Sequence, residues 1–92
     1  MSNQRDILKT LTERGNRYGK FTDHAEITQH FKALAHNHEG WDDMDADMRE
    51  ALDMIFHKIG RILSGDPTYD DSWHDIAGYA KLVEDRLNGV EL

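Results

Sequence analysis

The stretch Glu50-Ala51-Leu52-Asp53-Met54-Ile55-Phe56-His57-Lys58-Ile59-Gly60-Arg61, followed ten residues on by Asp71-Ser72-Trp73-His74-Asp75-Ile76-Ala77-Gly78-Tyr79, decides the fold. Both segments place apolar residues at helical spacing, with Ala51, Leu52, Ile55 and Ile59 in the first and Trp73, Ile76 and Ala77 in the second. Each also carries two carboxylates about one turn apart, Glu50 with Asp53 and Asp71 with Asp75, and Lys58 and Arg61 follow the first pair. Carboxylate pairs facing each other from adjacent helices can hold a divalent cation, and a cation beside Lys and Arg suits a phosphate-bearing ligand. An amphipathic helix has a polar face in any case, so a solvated face is the plainer reading of either helix alone.

Working outward, the first of these helices runs from about Asp45 to Leu63, with Ser64-Gly65 and Pro67 ending it. Its stripe is Met48, Ala51, Leu52, Ile55, Ile59, Ile62 and Leu63. The next begins near Tyr69 to Ser72 and runs to about Leu87, with Trp73, Ile76, Ala77, Ala80, Val83 and Leu87 on one face and Asn88-Gly89 at its end. Upstream, Ile7, Leu8 and Leu11 predict a helix from Arg5 to about Arg14, stopped by Gly15-Asn16. Thr22 or Asp23 caps another, Asp23 and Glu26 having the spacing of a capping box; its stripe is Ile27, Phe31, Leu34 and Ala35, and it ends near Glu39-Gly40. With a single Pro and few β-branched clusters, residues 1–92 are expected to form one all-α domain, a small antiparallel four-helix bundle with short connections.

Ninety-two residues bury only a modest fraction of their surface, so stability is expected to be marginal or shared with a partner subunit. The absence of cysteine excludes disulfides and thiolate metal sites. The start, Met1-Ser2-Asn3-Gln4-Arg5-Asp6, lacks the apolar run of a signal peptide, and no stretch reaches membrane-spanning length. A cytoplasmic protein with no membrane partner is expected. Eleven basic against eighteen acidic residues, a formal charge of -7, argue against binding of duplex nucleic acid. That balance leaves room for a local Lys/Arg pocket, and equally for an acidic face that occupies a partner protein's basic groove.

Projected at 100° per residue, Glu50, Asp53, His57 and Arg61 fall in one arc opposite the apolar stripe. On the following helix Asp71, Asp75, Gly78 and Leu82 share the face away from its stripe. Water alone has little use for Leu82, and Gly inside a helix costs roughly 1 kcal/mol relative to Ala. Gly78 one turn after Asp75 suits close approach of another helix or a ligand. A second occupied face in so small a chain is most simply a subunit interface, which predicts a homodimer with the carboxylates lining a groove. Magnesium takes oxygen ligands and keeps several waters beside substrate phosphates. Glu50, Asp53 and Asp75 are the expected metal ligands, with Asp71 as an auxiliary, and Lys58 and Arg61 are the expected phosphate contacts.

Two acidic residues three apart on one helix, then a helix containing Asp75-Ile76-Ala77-Gly78-Tyr79-Ala80, resemble the all-α nucleoside triphosphate pyrophosphohydrolase superfamily, which includes MazG-like proteins and dimeric dUTPases. More closely, Ala51–Ile55, Lys58-Ile59, Arg61–Leu63, Gly65–Pro67 and Asp71–Tyr79 are similar to small phage and prophage proteins of unassigned function. Arg14-Gly15, Tyr18-Gly19 and Phe21 fit that set too, so the resemblance covers nearly the whole chain. It implies a MazG-like bundle that dimerises or tetramerises, binds magnesium through its acidic pairs and cleaves nucleotides between the α and β phosphates. By position, Glu50 and Asp53 stand for the first pair and Asp75 for the last Asp of the second. The chain departs from that pattern at Ser72, where the superfamily usually has Glu, and at Asp53, which is one methylene shorter than the usual Glu.

Three other features have plainer readings. Asp43-Met44-Asp45-Ala46-Asp47 alternates like a calcium loop, but Met48 and Met54 stand where Gly and Glu are needed, so it reads as an acidic patch at a helix N-terminus. None of the six histidines forms an i, i+4 pair, and only His57 shares the arc of the carboxylates. Trp73 is expected in the core and Trp41, in a polar connector, at a subunit or partner contact. The expected function is binding of a nucleotide or other phosphate-bearing ligand, with magnesium-dependent pyrophosphohydrolase activity. The alternative is a non-catalytic acidic accessory protein of phage type that binds another protein through its acidic face and Trp41.

Overall fold

A computed structural model describes residues 2–92, with side chains described from residue 6 onward. The described chain is all helical: α1 (Ser2–Tyr18), α2 (Phe21–His36), α3 (Glu39–Asp42), α4 (Ala46–Ser64) and α5 (Asp70–Leu87). The element missing from the expected four is α3, a single turn. It forms because the His38 side chain accepts a hydrogen bond from the Gly40 amide and turns the chain between two helices.

The two C-terminal helices fall where their stop signals put them, α4 starting after Asp45 and α5 after Tyr69. The N-terminal pair does not. Gly15 passes through the helix interior, and α1 ends only at Gly19, whose φ of 79° is the left-handed value that Gly adopts freely. That leaves only Gly19 and Lys20 between α1 and α2, and α2 starts at Phe21 with Lys20, not Thr22 or Asp23, at its N-cap. Asp23 lies in the first turn, so its charge favours the helix dipole while its side chain makes no cap bond.

Helix α4 is the centre of the fold, packed between α5 and α2, while α1 touches α2 and α4 at few points. The buried side chains on α4 include Lys58 beside Ala51, seven residues away, and on α5 the buried residue is Ser72. Tyr79 and Arg86 follow Ser72 at the same spacing and are half-buried. Helix α5 is therefore rotated relative to the expected stripe. Ile76 and Val83 turn partly inward, but Trp73, Ala77, Ala80 and Leu87 are exposed.

The two tryptophans exchange their expected places. Trp41 is 8% exposed, its ring 4.3 Å from that of His36, so α3 folds back over the end of α2. Trp73 is 54% exposed and lies along the α4–α5 loop, its indole N–H donating to the Pro67 carbonyl at 2.9 Å. Periodicity fixes which residues share a helix face, not which face meets a neighbour. Here the face of α5 turned to α4 brings Asp75 to Lys58, 3.0 Å apart.

Among the described residues Trp41 and Ala51 are the buried apolar side chains, and no large side chain is fully enclosed. The Cα radius of gyration is 15.6 Å, against about 12 Å for a compact domain of this length. Ile7, Leu8, Leu11, Leu82 and Leu87 all stay open to solvent. Among the described residues no helix is long and apolar enough to cross a membrane.

Candidate functional site

The C-terminal end of α1 is tied to the C-terminal end of α4. The Ser64 hydroxyl donates to the Tyr18 carbonyl at 3.0 Å, and the Asp66 amide donates to the Arg17 carbonyl at 2.7 Å. Two glycines make this approach possible. A Cβ on Gly19 would collide with the Ser64 carbonyl, and one on Gly65 would collide with the backbone of Arg17 and Tyr18.

This junction holds the last turn of α1 over α4 and α5. The result is a polar cleft of about 460 Å³ whose lining includes Arg14, Arg17 and Tyr18 from α1, Lys58 and Arg61 from α4, and Asp71 from α5. Four cations meet two carboxylates, Glu13 and Asp71, on its walls, an excess of two positive charges in a chain of net charge -7.

Three of the four cations have contacts that hold them in place. The Lys58 ammonium is 3.0 Å from the Asp75 carboxylate and largely shielded from water. The Arg61 guanidinium lies 4.2 Å from the Tyr18 ring centroid, a stacked arrangement that fixes the plane of its donors. Its Nε is buried without a partner. Arg17 lies 4.9 Å from the Tyr69 ring centroid and donates to the Tyr69 hydroxyl at 3.1 Å. The Tyr18 hydroxyl donates to Asp71 at 3.1 Å, and burial together with that bond raises its pKa above the ordinary phenol value.

The expected phosphate contacts Lys58 and Arg61 thus share one cleft, and Asp71 lies on its wall with Asp75 just behind Lys58. Glu50 and Asp53 point elsewhere. Glu50 lines a groove with Asp47, Tyr79 and Arg86, and Asp53 Oδ1 is 2.7 Å from His36 Nε2. Asp75 also lines a groove of about 440 Å³ with Gly78 and Leu82, on the face of α5 where the spacing placed them. No Cβ clash blocks Gly78, so nothing among the described residues uses the room it leaves. Among the described residues no group of three or more His, Asp or Glu side chains is arranged to hold a metal ion. The four carboxylates expected as magnesium ligands are therefore not one ligand set within a single copy.

The sequence reading missed Arg14, Arg17 and Tyr18 as members of the site. Their signal was a pair of arginines one turn apart beside Tyr18-Gly19, which the expected stop at Gly15 divides, leaving Arg14 on the helix and Arg17 and Tyr18 in a connector. The Asp45–Asp47 patch also has a specific partner. Arg86 donates to Asp47 at 2.6 and 2.8 Å and to Asp45 at 3.0 Å, clamping the end of α5 to the start of α4.

The DUF6378 family, described as a domain of unknown function, matches residues 5–87. The chain belongs to DUF6378. The matched DUF6378 region contains every residue of the cationic cleft. No curated protein and no solved structure matches the chain.

Proposed function

We propose that the cleft binds a phosphate-bearing ligand, a nucleotide being the form that the sequence resemblance implies. The carrying observation is the gathering of Arg14, Arg17, Lys58 and Arg61 around one cavity of an otherwise acidic chain. Guanidinium forks pair bidentately with phosphate oxygens, and a buried lysine supplies a fixed point charge between them.

The resemblance adds magnesium-dependent cleavage between the α and β phosphates. Asp75 is paired with Lys58, Asp71 accepts from Tyr18 and Asp53 is paired with His36, so the carboxylates in one copy do not fit a magnesium site. The chain's own residues bind and orient the phosphates, and no hydrolytic step is assigned to them. Thermal shift and calorimetry with tripolyphosphate and a nucleotide panel, with and without magnesium, test binding, and pyrophosphate release tests cleavage. Saturable binding that falls steeply with salt and is lost in Arg14→Gln/Arg17→Gln is expected. No shift with any of these anions would remove this function.

Self-association is proposed with it. Leu82 and the open Gly78 lie on one groove, and Ile7, Leu8 and Leu11 form an exposed stripe on α1. A chain that encloses so little of its own apolar surface gains most by sharing it with a second copy. The non-catalytic alternative, docking of another protein on the acidic face, loses its expected aromatic anchor because Trp41 is buried. Retention of a lysate protein that depends on Asp42 and Asp43, and is unaffected by Arg14→Gln/Arg17→Gln, would favour it.

A further inference from the structure

A second cavity, of about 610 Å³, adjoins the cationic cleft and shares Arg14, Tyr18 and Arg61 with it. Its character is different. Leu11, Phe21, His24 and His57 add apolar and aromatic surface. Three of these rings form a continuous row: Phe21 and His24 have centroids 5.3 Å apart at 69°, and His24 and His57 are 4.7 Å apart at 87°. Edge-to-face contacts of this kind hold a wall of ring surface in place.

Both histidines are neutral near pH 7. Burial first, then the charge of Arg61, pushes His57 down to about 4, and burial likewise lowers His24. The row of rings itself therefore carries no charge, and the cations that line this cavity are Arg14, Lys20 and Arg61. His24 is only 4% exposed, and its Nδ1 is buried without a hydrogen-bond partner. A buried ring nitrogen left unpaired is uncommon in a folded chain. The volume falls within the ordinary range for small-molecule sites, which combine apolar walls with a few placed polar groups.

We propose that this second cavity seats the flat ring of the ligand whose phosphates occupy the cationic cleft, so that the site recognises a phosphorylated heterocycle. This rests on the phosphate-binding function proposed above. The ring packs against the row formed by Phe21, His24 and His57. Arg61, stacked on Tyr18, stands at the junction and reaches both parts of the ligand. Phe21, His24 and His57 are then the residues that distinguish a nucleotide from a bare polyphosphate.

Calorimetry on the full chain with inorganic tripolyphosphate and with the common ribo- and deoxyribonucleoside triphosphates tests this. At least one nucleotide is expected to bind tenfold or more tightly than tripolyphosphate. Phe21→Ala and His57→Gln are expected to reduce that advantage to less than threefold while leaving tripolyphosphate affinity unchanged. Phe21 is 72% exposed, so its truncation leaves folding intact and keeps the test valid if His57→Gln is unstable. Tripolyphosphate binding equal to that of every nucleotide, or an advantage that survives Phe21→Ala, would overturn the ring site alone. Failure of tripolyphosphate and nucleotides alike would overturn it together with the phosphate cleft.

Discussion

Lys58 and Asp75 meet at 3.0 Å across the α4–α5 contact, with one-tenth of the Lys58 side chain and one-third of the Asp75 side chain exposed. The pair sets the rotation of α5 and fixes one corner of the cationic cleft. Removing its negative member strands a charge that has little access to water. Asp75→Asn is expected to destabilise the chain by about 2–3 kcal/mol, below the usual cost of breaking a fully enclosed pair because Asp75 is partly solvated. Lys58→Met/Asp75→Leu is expected to recover most of the loss. Urea midpoints of Lys58→Met, Asp75→Leu and the double variant give the coupling directly.

Stability is expected to fall as pH drops below neutrality. The His57 pKa is held near 4 in the folded chain, against 6.5 for the free side chain, so the folded form favours the neutral ring. Between those values the unfolded chain binds more protons, and stability rises with pH. The contribution is complete above about 6.5 and declines as pH falls toward 4. His24 is shifted in the same direction and adds to the effect. Denaturant midpoints between pH 7 and 5 should show the slope, and His57→Gln should flatten it. A slope unchanged in that variant would assign the dependence to other groups.

Gly60 is closed in by α2. A Cβ there would collide with the Thr28 hydroxyl and lie 3.1 Å from the His24 carbonyl. Ala is the better helix former by about 1 kcal/mol, yet Gly60→Ala is expected to cost ~1–3 kcal/mol net through overpacking between α2 and α4. Thr28→Ala in the same chain should restore part of it. Gly78→Ala has no such obstacle and should raise the stability of a single copy; a loss of self-association in the same variant would place the second copy on that face.

Replacing Arg61 by Lys keeps its charge but loses the planar stack on Tyr18 and the fork of donors. Affinity for tripolyphosphate is expected to fall about tenfold, or ~1.4 kcal/mol. Arg49→Lys, on the same helix but outside the cleft, should change nothing. Equal behaviour of the two variants would exclude Arg61 from the site.

The helices that carry the expected site were legible because each has its own punctuation: Asp45 before α4, Gly65 and Pro67 after it, and Tyr69 before α5. Gly15 misled because glycine stops a helix only where the backbone turns left-handed, and that occurs at Gly19. Lys58 and Arg61 were readable as an anion-facing pair, but their partners Arg14 and Arg17 lie more than forty residues away in sequence. No local spacing reports that proximity. The polar connector around Trp41 points to an outside contact and the apolar face of Trp73 to the core, while their burial is decided by His36 against one ring and the rotation of α5 under the other. Glu50 and Asp53 belonged to a recognisable pattern, but His36 from α2 engages Asp53 instead of a second acidic helix.

The Gly19–Gly65 junction has a consequence for order in time. Among the described residues α1 has few contacts with α2 and α4 and its backbone tie to the end of α4 lies at this one end, so it is expected to open as a unit while α2, α4 and α5 stay packed. Opening removes Arg14, Arg17 and Tyr18 from the cleft together. Ligand capture and docking of α1 are then one thermodynamic event, and amide exchange along α1 should slow in proportion to ligand saturation while α4 amides barely respond.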